Sequence, residues 1–303
     1  MSRLMAGGSA RRFPAARILL LVLSAAVVFV WIGAFHALQQ GLVVTFLDVG
    51  EGDCLLLQSP AGRAILVDGG GRPDNPQAGE VLAARTILPA LLVRGVRRLD
   101  AVVITHPHDD HIGGLPAVIR ELPVGMILAP HVEGHEISPD YHHVLDLARE
   151  RRIPVHLAAP GQSFHLGQGI VGTVLYAGSG FEAENLNDVS VVLRLVFGEF
   201  SALLPGDLEA DGETRLLARR VYLHSTVLKV GHHGSPTSSS EAFVRTVRPE
   251  LAVISVGSNP YGHPNPGVVA RFRAAGTRVL RTDQNGAITL HVDGRRWHVE
   301  TFR

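Results

Sequence analysis

A cluster of side chains that can bind metals follows an apolar segment in the first half of the chain. His106, His108, Asp110 and His111 lie within the six residues that follow the apolar run 101–105. Imidazole and carboxylate groups suit zinc, iron or manganese. Four such groups at the end of a buried strand supply enough ligands to begin two adjacent metal sites. The pattern therefore predicts a metal centre rather than a histidine-rich surface loop.

Two later apolar segments also end in residues that can bind a metal. Asp207 comes shortly after one of them, and His232 and His233 follow the run 225–230. Open α/β sheets place functional residues at strand ends. A carboxylate can bridge two metals, so Asp207 is the natural shared ligand. Gly-Asp or His-His-Gly alone predicts little, but with the first motif these residues predict one common centre.

Short strands and helices must position these side chains. Apolar runs broken by glycine predict strands, and apolar residues at helical spacing predict helices. The predicted strands are 42–49, 54–58, 63–68, 101–105, 125–130, 225–230, 251–257, 277–282 and 287–292, with a hairpin over 189–207. The predicted helices are 79–95, 138–152, 208–220 and 266–276. Pro89 should kink or end the first of these helices. The two similar halves indicate one layered α/β domain over 42–303.

Composition excludes several classes of protein. The chain has 303 residues, of which 46% are apolar and 18% charged, so it is not a disordered chain. With 28 basic and 28 acidic side chains, the formal net charge is zero. This balance removes the simplest argument for nucleic-acid binding, a strongly basic domain. A single cysteine, Cys54, excludes an intrachain disulfide and a cysteine-based zinc cluster.

The N-terminal region carries an uncharged apolar run over residues 18–35. Extended to Leu38, the run reaches the ~20 residues needed to cross a bilayer. Four arginines precede it, and the next basic residue is Arg63. The positive-inside rule predicts a cytoplasmic segment 1–17, a transmembrane anchor 18–38 and an extracytoplasmic catalytic domain. A cleavable signal peptide is the alternative, but its apolar region is usually ~7–15 residues long.

Several motifs together resemble one known family. The H-x-H-x-D-H pattern at 106–111 is similar to the signature of the metallo-β-lactamase superfamily. Further segments resemble the ComEC-type competence proteins in order and spacing: FLDVGEGDCLLL (46–57), LVDGGG (66–71), NDVSVVLRL (187–195), LLPGDLE (203–209), LKVGHHGSPTSSS (228–240), ISVGSNPYGHPNP (254–266) and RTDQNGAITL (281–290). The resemblance covers about 42–292 and implies a four-layer αββα sandwich. Glu51 departs from the pattern, in which Gln is usual.

The resemblance implies two divalent metal ions, zinc or manganese, with a hydroxide between them as the nucleophile. His106 and His108 would hold one ion. The other would be held by Asp110, His111 and one of the neighbours His232 and His233, of which His232 is preferred. Asp207 would bridge the two ions. A third histidine, present in many superfamily hydrolases, has no match here.

Other residues are expected around these ligands. Asp68 would orient a ligand histidine, or cap a loop. Lys229 is the only lysine and would be a point charge near a phosphate, unless it is a chance survivor on a buried strand. The candidate catalytic residues are Asp110, Asp207, Lys229 and His263. The candidate substrate-binding residues are Asn187, Ser190, Ser235, Ser238 and His263.

The resemblance implies a membrane-anchored, metal-dependent phosphodiesterase that cleaves DNA and is linked to DNA uptake. DNA, the membrane and a separate channel protein are the expected partners, because large family members carry a multi-helix channel that this chain cannot form. One alternative is a metal-dependent hydrolase of esters, lactones or amides. Another is a non-catalytic DNA-handling domain beside a channel.

Overall fold

The computed structural model describes residues 15–38, 41–72, 75–133, 137–179 and 185–303. The chain divides into two compact units, residues 1–40 and 41–303. In the first unit, α1 (Ala15–Leu38) falls on the predicted anchor. Most of the predicted segment 1–17 lies outside the described residues.

The predicted membrane anchor is not supported. In the described part of the chain, no helix combines the length and the apolar character needed to span a membrane. This finding contradicts the transmembrane assignment of 18–38 and the membrane-anchored, extracytoplasmic location that was predicted from it.

The second unit contains two β-sheets. Its strands are β1 (Leu42–Phe46), β2 (Leu55–Gln58), β3 (Ala64–Val67), β4 (Ala101–Val103), β5 (Ile127–Ala129), β6 (Val155–Leu157), β7 (Ser163–Gly167), β8 (Ile170–Ala177), β9 (Val191–Phe197), β10 (Phe200–Leu204), β11 (Val227–Lys229), β12 (Leu251–Ile254), β13 (Arg278–Arg281), β14 (Ile288–Val292) and β15 (Trp297–Thr301). The first sheet has the order β15-β14-β1-β2-β3-β4-β5-β6, and the second has the order β13-β12-β11-β10-β9-β8-β7.

Helices follow many of these strands. They are α2 (Pro76–Leu82), α3 (Leu88–Val93), α4 (Asp109–Ile112), α5 (Leu115–Glu121), α6 (Pro139–Glu150), α7 (Ala210–Ala218), α8 (Glu241–Val247), α9 (Pro266–Ala274) and α10 (Thr282–Asn285). A π-helical turn (Ala83–Ile87) joins α2 to α3, so the helix continues past Pro89. Short 3₁₀ turns cover Leu186–Val189 and Gly231–Gly234. The predicted start of α6 is confirmed: the Ser138 side chain accepts from the Tyr141 N–H.

Three apolar cores account for the layers. The central core packs one sheet on the other, with Val44 and Phe46 from β1 and Leu193 and Leu195 from β9. A second core lies between the first sheet and helices α3, α5 and α6. A third lies between the second sheet and helices α7, α8 and α9. These layers confirm the predicted αββα arrangement, in which both sheets send strand ends toward the loops that carry the metal-ligand candidates.

Candidate metal centre

The first motif begins three residues after a short buried strand ends. β4 ends at Val103, and His106 and His108 lie in the loop that leads into α4. Nε2 of His106 lies 3.1 Å from Nδ1 of His108. The first turn of α4 then carries Asp110 and His111, and the ring centroids of His106 and His111 are 4.1 Å apart. The loop and helix together bring all four side chains to one place.

Asp207 lies at the centre of the cluster. Its Oδ2 is 3.2 Å from Nε2 of His111 and 3.2 Å from Nε2 of His233. The same oxygen is 3.9 Å from Nε2 of His106. Asp110 completes the group, because its Oδ2 is 3.4 Å from Nε2 of His233. A residue that follows β10 in the second sheet thus meets the motif that follows β4 in the first.

The donor set fits a divalent ion. Ligand atoms of Asp110, His111, Asp207 and His233 all lie within 4.8 Å of one another. Ligand bonds to zinc are ~2 Å long, so atoms this close can share an ion. Carboxylate oxygens and imidazole nitrogens suit zinc and manganese.

The neighbouring histidines His232 and His233 point to different surroundings. Both have left-handed backbone angles, with φ of 45° and 52°. His233 is buried, and its Nδ1 donates to the Ser255 carbonyl at 2.8 Å, which directs Nε2 into the cluster. His232 instead places Nδ1 2.9 Å from Oε1 of Glu209. The structure therefore does not support the preference for His232, because His233 is the histidine whose ring enters the cluster.

Asp68 supports His111 from behind. Its Oδ2 lies 2.8 Å from Nδ1 of His111 and accepts from the Thr105 hydroxyl at 2.7 Å. Its Oδ1 accepts from the Thr105 N–H at 2.8 Å. Complete burial raises the pKa of Asp68, although the nearby His111 opposes this effect. With Nδ1 engaged in this way, His111 presents Nε2 to Asp207.

Lys229 lies beneath the cluster and not in the cavity. Its side chain is 1% exposed. Nζ donates to Oδ1 of Asp207 at 3.0 Å and to the Gly206 carbonyl at 2.9 Å, and it pairs closely with Asp53. The structure therefore does not support the prediction of Lys229 as a point charge near a phosphate, because its described partners are buried protein groups and it does not line the cavity. Three polar partners also argue against a chance lysine on a buried strand.

Asp53 is a participant that the sequence analysis did not identify. It lies in the loop before β2 and is 1% exposed. Oδ2 pairs with Lys229, and the buried Oδ1 has no hydrogen-bond partner among the described residues. Oδ2 is also 3.8 Å from Nδ1 of His111. Its only signal in the sequence is its place in the FLDVGEGDCLLL segment, which resembles the ComEC-type pattern.

The charges in the cluster shift its protonation strongly. Burial raises the pKa of Asp207, but the charges of His233 and His111 outweigh burial and hold this pKa well below its usual range. Burial lowers the pKa of His233, but Asp207 and Asp110 outweigh it and raise the pKa to about 10. At His106, burial and the charge of His111 lower the pKa well below its usual value. Without metal, protons on buried histidines and on Lys229 balance the carboxylates.

Four of the five predicted substrate-binding residues are hydrogen-bonded to protein groups around the centre. Ser190 is buried, and its hydroxyl accepts from the Asp207 N–H at 3.2 Å. Asn187 donates to Oε1 of Glu209 at 3.0 Å. Ser238 donates to the Gly231 carbonyl at 2.7 Å, and the hydroxyl of Ser235 lies 2.8 Å from that of Thr237. The prediction that these four residues face a substrate is therefore corrected: they shape the loops around Asp207 and His233.

His263 does face the cavity beside the cluster. This cavity has a volume of about 730 Å³ and is lined by Glu51, Pro107, His108, Asp109, Asp110, Ile137, Ser138, Pro139, Leu186, His232, His233, Tyr261 and His263. Nδ1 of His263 lies 2.9 Å from Oε1 of Glu51, and Oε2 of Glu51 accepts from the Gly257 N–H at 3.2 Å. The centroids of the His263 and His232 rings are 5.5 Å apart. Two carboxylate-paired histidines therefore stand side by side in the cavity wall.

Comparison with known proteins agrees with the geometry. A family model described as "Metallo-beta-lactamase superfamily" matches residues 47–258. "ComE operon protein 3" of Bacillus subtilis (strain 168) is 32% identical over 261 residues, which is 83% of this chain and 33% of that protein. "Competence protein ComA" of Neisseria gonorrhoeae is 37% identical over 255 residues, which is 82% of this chain and 32% of that protein. "Recombination protein 2" of Haemophilus influenzae is 29% identical over 261 residues, which is 86% of this chain and 30% of that protein.

The chain belongs to the metallo-β-lactamase superfamily, and its resemblance to the corresponding domain of ComEC-type competence proteins is confirmed. It spans about a third of the length of these curated relatives.

Proposed function

We propose that this superfamily member is a metal-dependent phosphodiesterase that cleaves DNA. The observation that carries the proposal is the position of Asp207. One carboxylate oxygen lies 3.2 Å from two histidine nitrogens and 3.9 Å from a third, as a ligand shared by two ions would. Paired cations suit the in-line displacement of a phosphodiester.

Six side chains are proposed to hold two divalent ions, zinc or manganese. His106 and His108 would bind one ion, and Asp207 would be shared by both. The other ion would be bound by Asp110, His111 and His233. Ions bound there would act as Lewis acids toward phosphoryl oxygens and would make water a stronger nucleophile at neutral pH.

Protein side chains are proposed to position the substrate. Because Glu51 engages Nδ1 of His263, the Nε2 atom is the one left to hydrogen-bond a phosphate oxygen in the cavity. His232 would act beside it, since Glu209 engages its Nδ1 in the same way. Asp68 and Lys229 would position His111 and Asp207 without touching substrate. This assignment keeps His263 on the substrate side and moves Lys229 away from it.

Metal analysis and nuclease assays test the proposal. The purified chain would be loaded with zinc or manganese and given single-stranded DNA, double-stranded DNA and bis(p-nitrophenyl) phosphate. We expect cleavage that Asp207→Ala reduces by at least about 10³-fold, because the shared ligand is lost. Arg149→Ala, on the exposed face of α6, is the matched control. Metal loading without cleavage of any of these substrates would overturn the proposal, and metal-free DNA binding would support a non-catalytic domain.

The cavity wall favours a second candidate, hydrolysis of an uncharged ester, lactone or amide. Among the described residues, no arginine or lysine lines the cavity, and Glu51, Asp109 and Asp110 do. A DNA backbone is usually bound by basic side chains. Turnover of a lactone or β-lactam panel, lost in Asp207→Ala and exceeding turnover of DNA, would favour this candidate.

The link to DNA uptake and a separate channel protein remains a prediction. Its support is the similarity to proteins named for competence. Deletion of the encoding gene in its host should lower uptake of labelled DNA, and complementation with Asp207→Ala should not restore it if cleavage is needed. Unchanged uptake in the deletion strain would contradict the link.

A further inference from the structure

A second group of metal-ligand side chains lies on the hairpin of β14 and β15, at the edge of the first sheet. His291 on β14 is the direct cross-strand neighbour of His298 on β15. Their rings are stacked, with centroids 4.7 Å apart and planes 10° apart. Glu300 is two residues beyond His298, so its side chain emerges on the same face of the strand.

The carboxylate of Glu300 faces both rings. Its Oε2 lies 3.4 Å from Nε2 of His291, and its Oε1 lies 3.8 Å from Nε2 of His298. Nε2 of His291 is buried and has no hydrogen-bond partner among the described residues. One ligand atom from each of the three residues lies within 4.8 Å of the others. Three potential metal-ligand atoms thus lie close together, and one of them, Nε2 of His291, is buried without a hydrogen bond among the described residues.

We propose that His291, His298 and Glu300 bind one zinc ion. Two imidazoles and a carboxylate are a common zinc ligand set, with water free to take the fourth position. His298 and Glu300 are 66% and 56% exposed, so an ion can reach the site from solvent and loss of either side chain leaves the core intact. None of these residues lines the cavity beside Asp207.

An ion at this position would link β15 to its neighbour β14. β15 is an edge strand that pairs with β14 alone, and its exposed residues outnumber the part-buried ones. On its inner face, Trp297 and Val299 pack only partly against the central core. A bound ion stabilises the state that binds it. Zinc should therefore stabilise the folded hairpin and reduce local opening of β15.

Equilibrium dialysis of the full chain against zinc tests this site. We expect wild type to bind one more zinc ion per chain than His298→Ala, with the same difference in a His233→Ala background that removes a ligand of the main centre. Glu300→Gln should bind the extra ion at least about tenfold more weakly, since the anionic ligand is lost. Hydrogen exchange of β15 amides should slow with zinc in wild type and not in His298→Ala.

His165→Ala is the matched control, because His165 is an exposed histidine on the other sheet's edge strand β7 and belongs to no ligand group among the described residues. It should retain the extra ion and the slowed exchange. Equal zinc stoichiometry in wild type and His298→Ala would overturn the proposal. An equal loss in His165→Ala would also overturn it, because nonspecific histidine binding would then account for the ion.

Discussion

The two sheets contribute to the metal centre in different ways. The first sheet supplies His106, His108, Asp110 and His111 from one loop and the helix that follows it. The second sheet supplies single residues from separate loops: Asp207 after β10 and His233 after β11. The first contribution is contiguous in sequence, whereas the second exists only because two parallel strands end side by side.

This difference separates ligands fixed by local sequence from ligands fixed by tertiary packing. The motif at 106–111 has its spacing built into six residues. Asp207 and His233 depend on a buried framework, in which Lys229 joins Asp207 to Asp53 from the loop before β2. We therefore expect the second sheet's contribution to be more sensitive to changes at residues that never touch a metal.

The largest effect is expected from Lys229→Met. This change leaves the carboxylates of Asp53 and Asp207 buried without their shared cation, which should cost about 3–5 kcal/mol of unfolding free energy. Chemical unfolding of the metal-free protein measures it. Arg149→Met, which breaks an exposed pair with Asp146, is the control and should cost less than about 1 kcal/mol. Equal losses of unfolding free energy in the two variants would show that Lys229 does not stabilise the protein by joining Asp53 to Asp207.

Within one loop, His232 and His233 are expected to differ in their effect on metal affinity. His233→Ala should weaken metal binding at least about 100-fold, because it removes a proposed ligand, whereas His232→Ala should leave metal affinity within about threefold of wild type. Competition with a chromophoric chelator measures both. The reverse order would place His232 in the centre and contradict the geometry described for Glu209 and Ser255.

In the first sheet's contribution, Asp68 positions the ligand candidate His111. Asp68→Asn should weaken metal binding about 10–100-fold, because the support for His111 through its Nδ1 is altered. Asp146→Asn, an exposed carboxylate on α6, should have no measurable effect on the same assay. If Asp68→Asn also bound metal as wild type does, the contiguous motif would need no support from outside its own six residues.

The smallest effect is expected on the free energy of unfolding and concerns Glu213, which binds the loop that follows His232 and His233. Both carboxylate oxygens of Glu213 accept backbone N–H groups, from Ser239 and Ser240. Burial outweighs these bonds and raises the pKa of Glu213 to about 6, above its ordinary value of 4.5. The folded state therefore holds the proton more tightly than the unfolded state. The stability gained is complete below about pH 4.5 and is lost as pH rises through about 6.

For Glu213, the loss should be at most about 2 kcal/mol. Glu213→Gln should remove this step from the pH dependence of the unfolding free energy, while Glu241→Gln, exposed at the start of α8, should retain it. A step that persists unchanged in Glu213→Gln would assign the titration to another group.

The sequence predicted what is encoded locally. The layered fold, the start of α6 at Ser138 and the convergence of strand-end ligands follow from periodicity, capping and motif spacing. The choice between His232 and His233 does not, because their left-handed backbone angles decide which ring turns inward. Asp53 was missed because its partner is Lys229, 176 residues away and in the other sheet.

The predicted substrate-binding role of the serine hydroxyl groups failed for a related reason. Ser190 and Ser238 were predicted to bind substrate, yet their side chains are hydrogen-bonded to the Asp207 N–H and the Gly231 carbonyl. A serine near an active centre has backbone groups to satisfy before it can meet a substrate. The apolar run at 18–35 shows a different limit, since hydropathy alone predicted an anchor that the described part of α1 does not support.

The burial of the chain's only lysine has a practical consequence for labelling. Lys229 is the sole side-chain primary amine and is 1% exposed. Amine-selective acylating reagents applied to the native protein should therefore leave Lys229 unmodified. Acylation of Lys229, read by peptide mass, would then report how often the floor of the metal centre opens to solvent.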